Sequence, residues 1–225
     1  MKISFIVPMY NSAEYVSLCL EAICRLKKHC DLQLISIDNG SSDDTVDIAK
    51  KFSNDVVILP DATIAKMRNE GVKISKGELI AFIDSDCIVS ERWLLSIQKC
   101  FSKYDHIGAV GGYYGLGDSP SWVEQTWHSL KNNVTGDVSF LSAVNMVIRK
   151  KIFCSIGGFN DEMTTGEDWK LCSRLIEKGY RVINCPEMSV KHLGNVKTLS
   201  GMINKERWYG IGMFELAKKV LYLAH

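Results

Sequence analysis

Two aspartates separated by one residue, Asp84 and Asp86, directly follow an apolar run at positions 79–83. The run is Leu-Ile-Ala-Phe-Ile, which predicts a strand buried on both faces, so the aspartates come where that strand ends. Residues two apart on an extended backbone point to the same side, and open parallel sheets bind ligands beyond the carboxyl ends of their strands. Two adjacent carboxylates need a partner, and a divalent cation that carries phosphate oxygens suits them. The alternative is a turn closed by two solvated carboxylates.

A second acidic stretch, Asp38-Asn-Gly-Ser-Ser-Asp-Asp-Thr, follows another apolar run. Asp38 comes before the turn, at the predicted strand end, where its carboxylate could accept a hydrogen bond from a ring N–H such as that of uracil. Residues 41–44 suit a helix N-terminus, and a helix cap explains them without a ligand. Direct contact with a ligand is the alternative.

Arg68, Glu167 and Asp168 carry side chains suited to group transfer. Arg68 lies on the predicted helix before the strand at 79–83, and it is either a cation on a solvated face or a fork aimed at diphosphate oxygens. Glu167 and Asp168 open a later helix, where acidic residues are ordinary because they complement the helix dipole. As part of an active site, Asp168 would be the general base for an acceptor hydroxyl, and Glu167 would orient it or contact the acceptor.

His192 ends a late strand pattern and is either a structural histidine or a ligand for an Mn²⁺-type ion. Three tryptophans could stack on sugar faces or pack into the core with equal plausibility. They are Trp122, Trp127 and Trp169.

The elements that must position these residues form two different patterns. Up to about residue 105, strands alternate with helices, which predicts a parallel sheet covered on both faces. The predicted strands are 3–7, 32–37, 56–59 and 79–83, and the predicted helices are 11–28, with Asn11 and Glu14 as a capping box, 41–52 and 62–75. In the second half, strands are predicted at 107–111 and 138–149, then a helix at 167–178. Two short strands within 180–192, which Pro186 separates, come next, and a helix is predicted from 198 onward.

Composition excludes several classes of function. The 225 residues suffice for one large domain, and a net charge of +1 makes nucleic-acid binding a poor expectation. Eight cysteines without a Cys-x-x-Cys pair indicate reduced thiols rather than a zinc or disulfide framework. No apolar run is long enough to span a bilayer, so we expect a cytoplasmic protein. Its amphipathic C-terminal segment, 198–225, could lie peripherally on the inner face of the membrane or form a homodimer.

The motifs in this order resemble the family 2 glycosyltransferases with the GT-A fold, over roughly residues 2–215. The matching motifs are Val7-Pro8-Met9-Tyr10-Asn11, Asp38 to Thr45 with Asn39 in place of a second Asp, Ala65-x-x-Arg68-Asn69-x-Gly71, Gly77-Glu78, Asp84-Ser85-Asp86, Gly157-Gly158-Phe159, Glu167-Asp168 and His192. The resemblance implies an α/β fold: a Rossmann-like, mostly parallel sheet flanked by helices, a mixed-sheet acceptor half and a C-terminal helix. It further implies one domain, in which 1–105 binds a nucleotide sugar, 106–197 binds the acceptor and 198–225 forms that helix.

Roles for the individual residues follow from the same resemblance. The nucleotide would be held by Pro8, Tyr10, Asp38, Arg68, Asp84 and Ser85; the metal by Asp86 and His192; and catalysis would fall to Asp168 with Glu167. The implied enzyme inverts the anomeric centre, uses Mn²⁺ or Mg²⁺ and a nucleotide-diphosphate sugar, above all a UDP-sugar, and transfers to a glycan, a lipid-linked or a small hydroxyl acceptor. Cell-surface polysaccharide, lipid-linked glycan or glycoconjugate synthesis is the implied setting.

Two alternatives and one departure from the family pattern remain. A sugar-phosphate nucleotidyltransferase would use a similar sheet and metal, and a catalytically inactive protein could retain nucleotide-sugar binding alone. Lys205-Glu-Arg207-Trp208 is similar to the late Gln-x-x-Arg-Trp block of processive synthases, with Lys in place of Gln. Those synthases also carry transmembrane helices, so the sequence favours a non-processive enzyme.

Overall fold

The computed structural model describes residues 2–103, 106–129 and 134–222, with side chains up to residue 210. The strands are β1 (Lys2–Met9), β2 (Asp31–Asp38), β3 (Asp55–Ile58), β4 (Leu79–Ile83), β5 (Cys87–Ile88), β6 (Ile107–Gly111), β7 (Tyr114–Gly115), β8 (Gly136–Asp137), β9 (Asn145–Arg149), β10 (Arg181–Asn184) and β11 (Val190–His192). The helices are α1 (Val16–Arg25), α2 (Thr45–Lys50), α3 (Ile64–Ile74), α4 (Glu91–Lys103), α5 (Trp122–Ser129), α6 (Lys150–Ser155), α7 (Glu167–Glu177) and α8 (Leu199–Tyr222).

Eight strands form one sheet in the order β3-β2-β1-β4-β9-β6-β10-β8. β3, β2, β1 and β4 are mutually parallel, which confirms the sheet predicted for the first half. β9 is antiparallel to both of its neighbours, β4 and β6, and so joins the two halves of the chain. Because β4 and β6 both run against β9, they point the same way, and their carboxyl ends share one edge with those of β1 and β2. All the predicted acidic turns therefore face that edge.

Apolar side chains cover both faces of the sheet, as the continuous apolar strands predict. Alternate residues of β1 divide between the faces: Phe5 packs with α1, α2 and α4 on one side, and Ile6 packs with α3, α6 and α7 on the other. The helices that carry Arg68 and Asp168 thus lie on the same face.

A second sheet of three short strands, β5-β11-β7, lies next to the carboxyl end of β4. β11 pairs antiparallel with β5, with His192 opposite Cys87, and parallel with β7. This small sheet brings His192 to the Asp84–Asp86 turn, although the two are far apart in the sequence.

Three local predictions were wrong. Asn11 does not cap the first helix: it adopts a left-handed φ of 46°, its side chain accepts from the Ser42 N–H at 2.9 Å, and Tyr15 is the N-cap. The second helix begins at Thr45 rather than at residue 41. The strand predicted for 138–149 is confined to Asn145–Arg149. The N–H of Val138 still donates to the carbonyl of Val182 in β10, but the following residues leave the sheet, and the N–H of Ala143 donates to Asp168 of α7.

The sequence reasoning also missed three helices, α4, α5 and α6, of which α4 and α6 pack on opposite faces of the sheet. In α4, the buried residues Trp93, Leu94, Ile97 and Cys100 recur at helical spacing. Among the described residues, none of the helices is both long and apolar enough to cross a membrane.

Candidate active site

Arg68 joins the two halves of the chain beneath the site. Its side chain is buried, and Nη2 donates to Oδ1 of Asp84 at 2.9 Å while Nη1 donates to Oε1 of Glu167 at 2.7 Å. Burial acts to lower the pKa of Arg68, but the carboxylates of Asp84 and Glu167 outweigh it and raise that pKa. Arg68 is therefore a buried cation that holds the end of β4 against the start of α7, which excludes the alternative of a cation on a solvated face.

Asp86 and His192 form a pair at the mouth of the site. Nε2 of His192 lies 3.5 Å from Oδ2 of Asp86, whose side chain is 22% exposed. The backbone N–H of Leu193 donates to the carbonyl of Asp86 at 2.9 Å, and the Tyr114 ring packs on the imidazole with its centroid 5.5 Å away. Burial raises the pKa of Asp86, His192 opposes this, and Asp84 adds to it. A cation bound there would favour the ionised carboxylate.

The geometry of this pair fits a divalent metal ion. Two ligands about 2.1 Å from an octahedral ion, at right angles to each other, lie about 3 Å apart. The Asp86–His192 separation is close to that value, and a carboxylate with an imidazole suits Mn²⁺. The other ring nitrogen of His192, Nδ1, is buried without a hydrogen-bond partner.

Asp168 lies at the start of α7, beside Glu167. Its Oδ2 accepts from the N–H of Ala143 at 3.2 Å, and its Oδ1 accepts from the N–H of Trp169 at 2.8 Å. Burial raises its pKa in spite of these bonds and of nearby Arg68. The carbonyl of Val144, one residue along, accepts from the N–H of Asp84 at 3.2 Å, so one loop connects the β4 turn with the candidate base.

Asp38 lies at the same edge of the sheet but is fully buried within its own turn. Oδ2 accepts from the N–H groups of Gly40 at 2.9 Å and Ser41 at 2.8 Å, and Oδ1 accepts from the Ser41 hydroxyl at 2.5 Å. The carboxylate thus organises the turn, and its predicted contact with a nucleobase remains a prediction.

The remaining predicted residues line the same edge with different exposure. Tyr10 is 60% exposed just beyond β1, whereas Pro8 is buried in that strand. Ser85 is buried, and its hydroxyl donates to the hydroxyl of Ser12 at 2.9 Å. Trp122 and Trp169 are exposed and Trp127 is partly buried, so none of the three is a core residue. The structure thus gathers the predicted residues of both halves at one edge.

The sequence profile described as Glycosyl transferase family 2 matches residues 4–157, which is more than half of the chain. The protein belongs to glycosyl transferase family 2. Glycosyltransferase AglE of Haloferax volcanii is 27% identical over 192 residues, covering 79% of this chain and 62% of AglE. The poly(ribitol-phosphate) beta-glucosyltransferase of Bacillus spizizenii is 35% identical over 141 residues, covering 56% of this chain and 22% of the relative. The chain therefore spans only part of the length of these relatives.

This family 2 glycosyltransferase has the GT-A fold. The mannosyltransferase PcManGT from Pyrobaculum calidifontis, solved with GDP-Man and Mn²⁺, has a TM-score of 0.71 at 16% identity, covering 97% of this chain and 64% of that one. S. aureus TarS 1-349, solved with UDP-GlcNAc, has a TM-score of 0.68 at 19% identity, covering 87% and 59%. The expected family and fold are confirmed.

One residue that sequence reasoning missed, Gly194, lies beside Asp86 in this family 2 member. A Cβ on Gly194 would come within 2.1 Å of Oδ2 of Asp86, so only glycine leaves that carboxylate in place. Tyr209, on α8, is 40% exposed, and the burial of the rest of its ring, with the nearby Tyr114 and Asp168, raises the pKa of its phenol. No sequence spacing signals Gly194, because contacts between distant segments bring it to Asp86.

Proposed function

We propose that this protein is an inverting glycosyltransferase that moves a sugar from a nucleotide-diphosphate sugar to an acceptor hydroxyl. We further propose a UDP-sugar as donor and a cell-surface polysaccharide, a lipid-linked glycan or another glycoconjugate as acceptor. Relatives named for poly(ribitol-phosphate) glucosylation and for O-antigen rhamnosylation support this class of acceptor.

One observation carries the proposal. The Asp86–His192 pair, which fits a metal ion, and Asp168, whose pKa is raised, lie at the same edge of the sheet. Asp86 and His192 lie 3.5 Å apart at the end of β4. Asp168 is connected to the same β4 turn by the loop that contains Ala143 and Val144. A transfer site needs both parts, because one end of the scissile bond gains charge while the attacking hydroxyl loses a proton.

Asp168 would act as the general base. As the acceptor oxygen forms its bond to the anomeric carbon, Asp168 takes the hydroxyl proton, and the bond from that carbon to the diphosphate oxygen breaks. Attack on the face opposite the departing diphosphate inverts the anomeric centre. Burial makes the Asp168 carboxylate a better proton acceptor, since it raises the pKa of the side chain.

Asp86 and His192 would hold Mn²⁺ or Mg²⁺, which supplies Lewis-acid stabilisation to the leaving diphosphate when bound. Arg68 would act chiefly as a positioning residue, since Asp84 and Glu167 already occupy two of its nitrogens. By fixing Glu167, it fixes the start of α7 and therefore the adjacent Asp168. Tyr10, which is exposed beyond β1, would contact the nucleoside.

The class of reaction can be tested by identifying the released product. Nucleotide sugars are first screened for thermal stabilisation of the protein with and without Mn²⁺, because a ligand that binds the folded state raises the melting temperature. The stabilising donor is then incubated with candidate acceptors. Release of nucleoside diphosphate supports the proposal, whereas release of pyrophosphate identifies a nucleotidyltransferase. Binding without turnover on any acceptor identifies an inactive binding protein.

Asp168→Asn tests the assignment of the base. We expect kcat to fall by about 10²- to 10⁴-fold, the usual contribution of a positioned base, with donor affinity retained. Glu177→Gln removes an exposed carboxylate from the other end of α7 and serves as the matched control, with unchanged kcat. Normal turnover by Asp168→Asn contradicts the assignment.

The pH dependence of the wild-type enzyme gives a second readout. The base must be ionised, and the pKa of Asp168 is raised. We therefore expect kcat/KM to rise with pH through an acid limb that lies above the ordinary aspartate value of about 3.9. An acid limb at or below that value would contradict a buried aspartate base.

A further inference from the structure

The metal-ligand pair has a third potential ligand, the thiol of Cys87. Ligand atoms of Asp86, Cys87 and His192 all lie within 4.8 Å of one another. The Cys87 thiol donates to Oδ1 of Asp86 at 3.7 Å, and Nε2 of His192 lies 3.5 Å from Oδ2. The His192 side chain is only 9% exposed, and its Nδ1 has no hydrogen-bond partner.

These three ligand types match zinc better than the ions expected for catalysis. Mn²⁺ and Mg²⁺ prefer oxygen and imidazole ligands, whereas a thiolate favours Zn²⁺, and zinc stands above Mn²⁺ in the general order of affinities. Tetrahedral zinc binds sulfur at about 2.3 Å and nitrogen or oxygen at about 2.0 Å, so neighbouring ligand atoms lie about 3.3–3.6 Å apart. The Sγ–Oδ1 and Nε2–Oδ2 separations of 3.7 Å and 3.5 Å are close to that spacing, and the thiol lies within 4.8 Å of the imidazole ligand atom.

We propose that Zn²⁺ binds through Asp86, Cys87 and His192 and inhibits the enzyme by replacing the catalytic cation. Binding displaces the thiol proton of Cys87 to solvent and forms a zinc–thiolate bond, with no change of oxidation state. The inhibitory part rests on the function proposed above, and the binding part does not.

Coordination number explains why zinc would inhibit. With Asp86 and His192 as its protein ligands, an octahedral ion keeps several positions open for diphosphate oxygens and water. Three protein ligands leave tetrahedral zinc only one open position. One position cannot accept both phosphates of the donor, so the zinc form would bind the diphosphate poorly.

The described part of the chain offers a natural control site. Cys185 lies 3.3 Å from Glu187 and close to Cys100, but no histidine joins them in a metal-binding group. Cys185→Ser therefore removes a buried thiol from another location, while Cys87→Ser removes the proposed sulfur ligand and keeps a side chain of similar size.

Zinc binding is measured on the full chain by competition with a chromogenic chelator, and Mn²⁺ binding by electron paramagnetic resonance. We expect wild type and Cys185→Ser to bind Zn²⁺ about 100-fold more tightly than Mn²⁺, and Cys87→Ser to lose at least about tenfold in Zn²⁺ affinity with Mn²⁺ affinity unchanged. Equal Zn²⁺ affinity in wild type and Cys87→Ser, or loss of binding only in Cys185→Ser, would overturn the proposal.

Co²⁺ provides a test that needs no variant. A thiolate ligand gives bound Co²⁺ an intense charge-transfer band in the near ultraviolet, so its presence supports sulfur ligation and its absence from the fully loaded protein contradicts it. If zinc binds through Cys87 but no donor is ever turned over, the proposed function alone fails. If Mn²⁺-dependent transfer occurs and Zn²⁺ neither binds nor inhibits, this inference alone fails.

Discussion

The turns that follow β2 and β4 contain similar residues at the same sheet edge, with β1 between the two strands, yet their carboxylates are used differently. Asp38 is fully buried and accepts three hydrogen bonds from its own turn, from Gly40 and Ser41. Asp84 and Asp86 instead connect to residues of the second half of the chain. Asp84 is linked to Glu167 through Arg68, and Asp86 pairs directly with His192.

The comparison shows that an aspartate at a strand end has no fixed role. What separates the two turns is the number of local N–H and O–H donors, because a carboxylate whose oxygens are taken by its own backbone has little capacity for a ligand. The glycine and serine after Asp38 supply such donors, whereas the β4 turn leaves Asp86 facing an imidazole. The first turn would thus contribute to stability and the second to chemistry.

Asp86→Asn, compared with Asp38→Asn, gives the largest expected effect. Asp86→Asn should lower kcat by at least about 10³-fold, since Lewis-acid stabilisation is worth several kcal/mol and depends on this ligand. Mn²⁺ titration should show weak binding by Asp86→Asn and wild-type binding by Asp38→Asn. Equal loss of Mn²⁺ affinity in both variants would remove the distinction between the turns.

Arg68→Met tests the connection between the β4 turn and the second half of the chain. Removing the cation leaves Asp84 and Glu167 without their partner, and breaking a buried ion pair in this way costs about 3–5 kcal/mol. Denaturant unfolding measures the loss. Arg25→Met breaks only the exposed pair with Glu21, so it should cost less than about 1 kcal/mol. Similar losses for the two variants would show that the buried bridge is not structural.

Asp38→Asn tests whether the carboxylate of Asp38 stabilises the first turn. Hydrogen bonds to a charged acceptor contribute about 1.5–3 kcal/mol, and the neutral amide of Asn weakens those from Gly40 and Ser41, so we expect a loss of about 2 kcal/mol in unfolding free energy. Chemical denaturation and donor titration are both measured. Unchanged stability with a large loss of donor affinity would instead favour the predicted contact with the nucleobase.

Gly194→Ala gives the smallest expected effect and tests how closely the second turn is packed. The added Cβ would lie 2.1 Å from Oδ2 of Asp86, so the Asp86 carboxylate must move from its position beside His192. We therefore expect Mn²⁺ affinity to fall by about tenfold. Gly115→Ala is the matched control, because its Cβ would meet only the carbonyl of Val190 at 3.6 Å. If both variants bind Mn²⁺ like wild type, Gly194 does not position Asp86.

Much of the first half follows from its sequence. β1, β2 and β4 are continuous apolar runs, and the residues after them are the acidic turns, so the sheet edge with Asp38 and Asp84 could be predicted from local pattern alone. The start of α1 could not, because Asn11 is drawn away to the N–H of Ser42, thirty-one positions later.

The second half was predictable only in part. β5 and β7 are two residues long, too short for any periodicity, and they exist because β11 pairs with both. The antiparallel position of β9 and the packing of Gly194 against Asp86 likewise depend on contacts between distant segments. The residue types of the site could therefore be predicted, while the partners of Arg68 and the approach of Cys87 to His192 could not.

The placement of β9 beside β4 has a consequence for synthesis on the ribosome. Until Asn145–Arg149 emerges, β4 is the apolar outer strand of a four-stranded sheet whose backbone N–H and C=O groups can pair with another chain. The nascent half-protein would also contain the Arg68 guanidinium before Glu167 has been made. A polypeptide interrupted between these points is the form most exposed to aggregation and most dependent on chaperones.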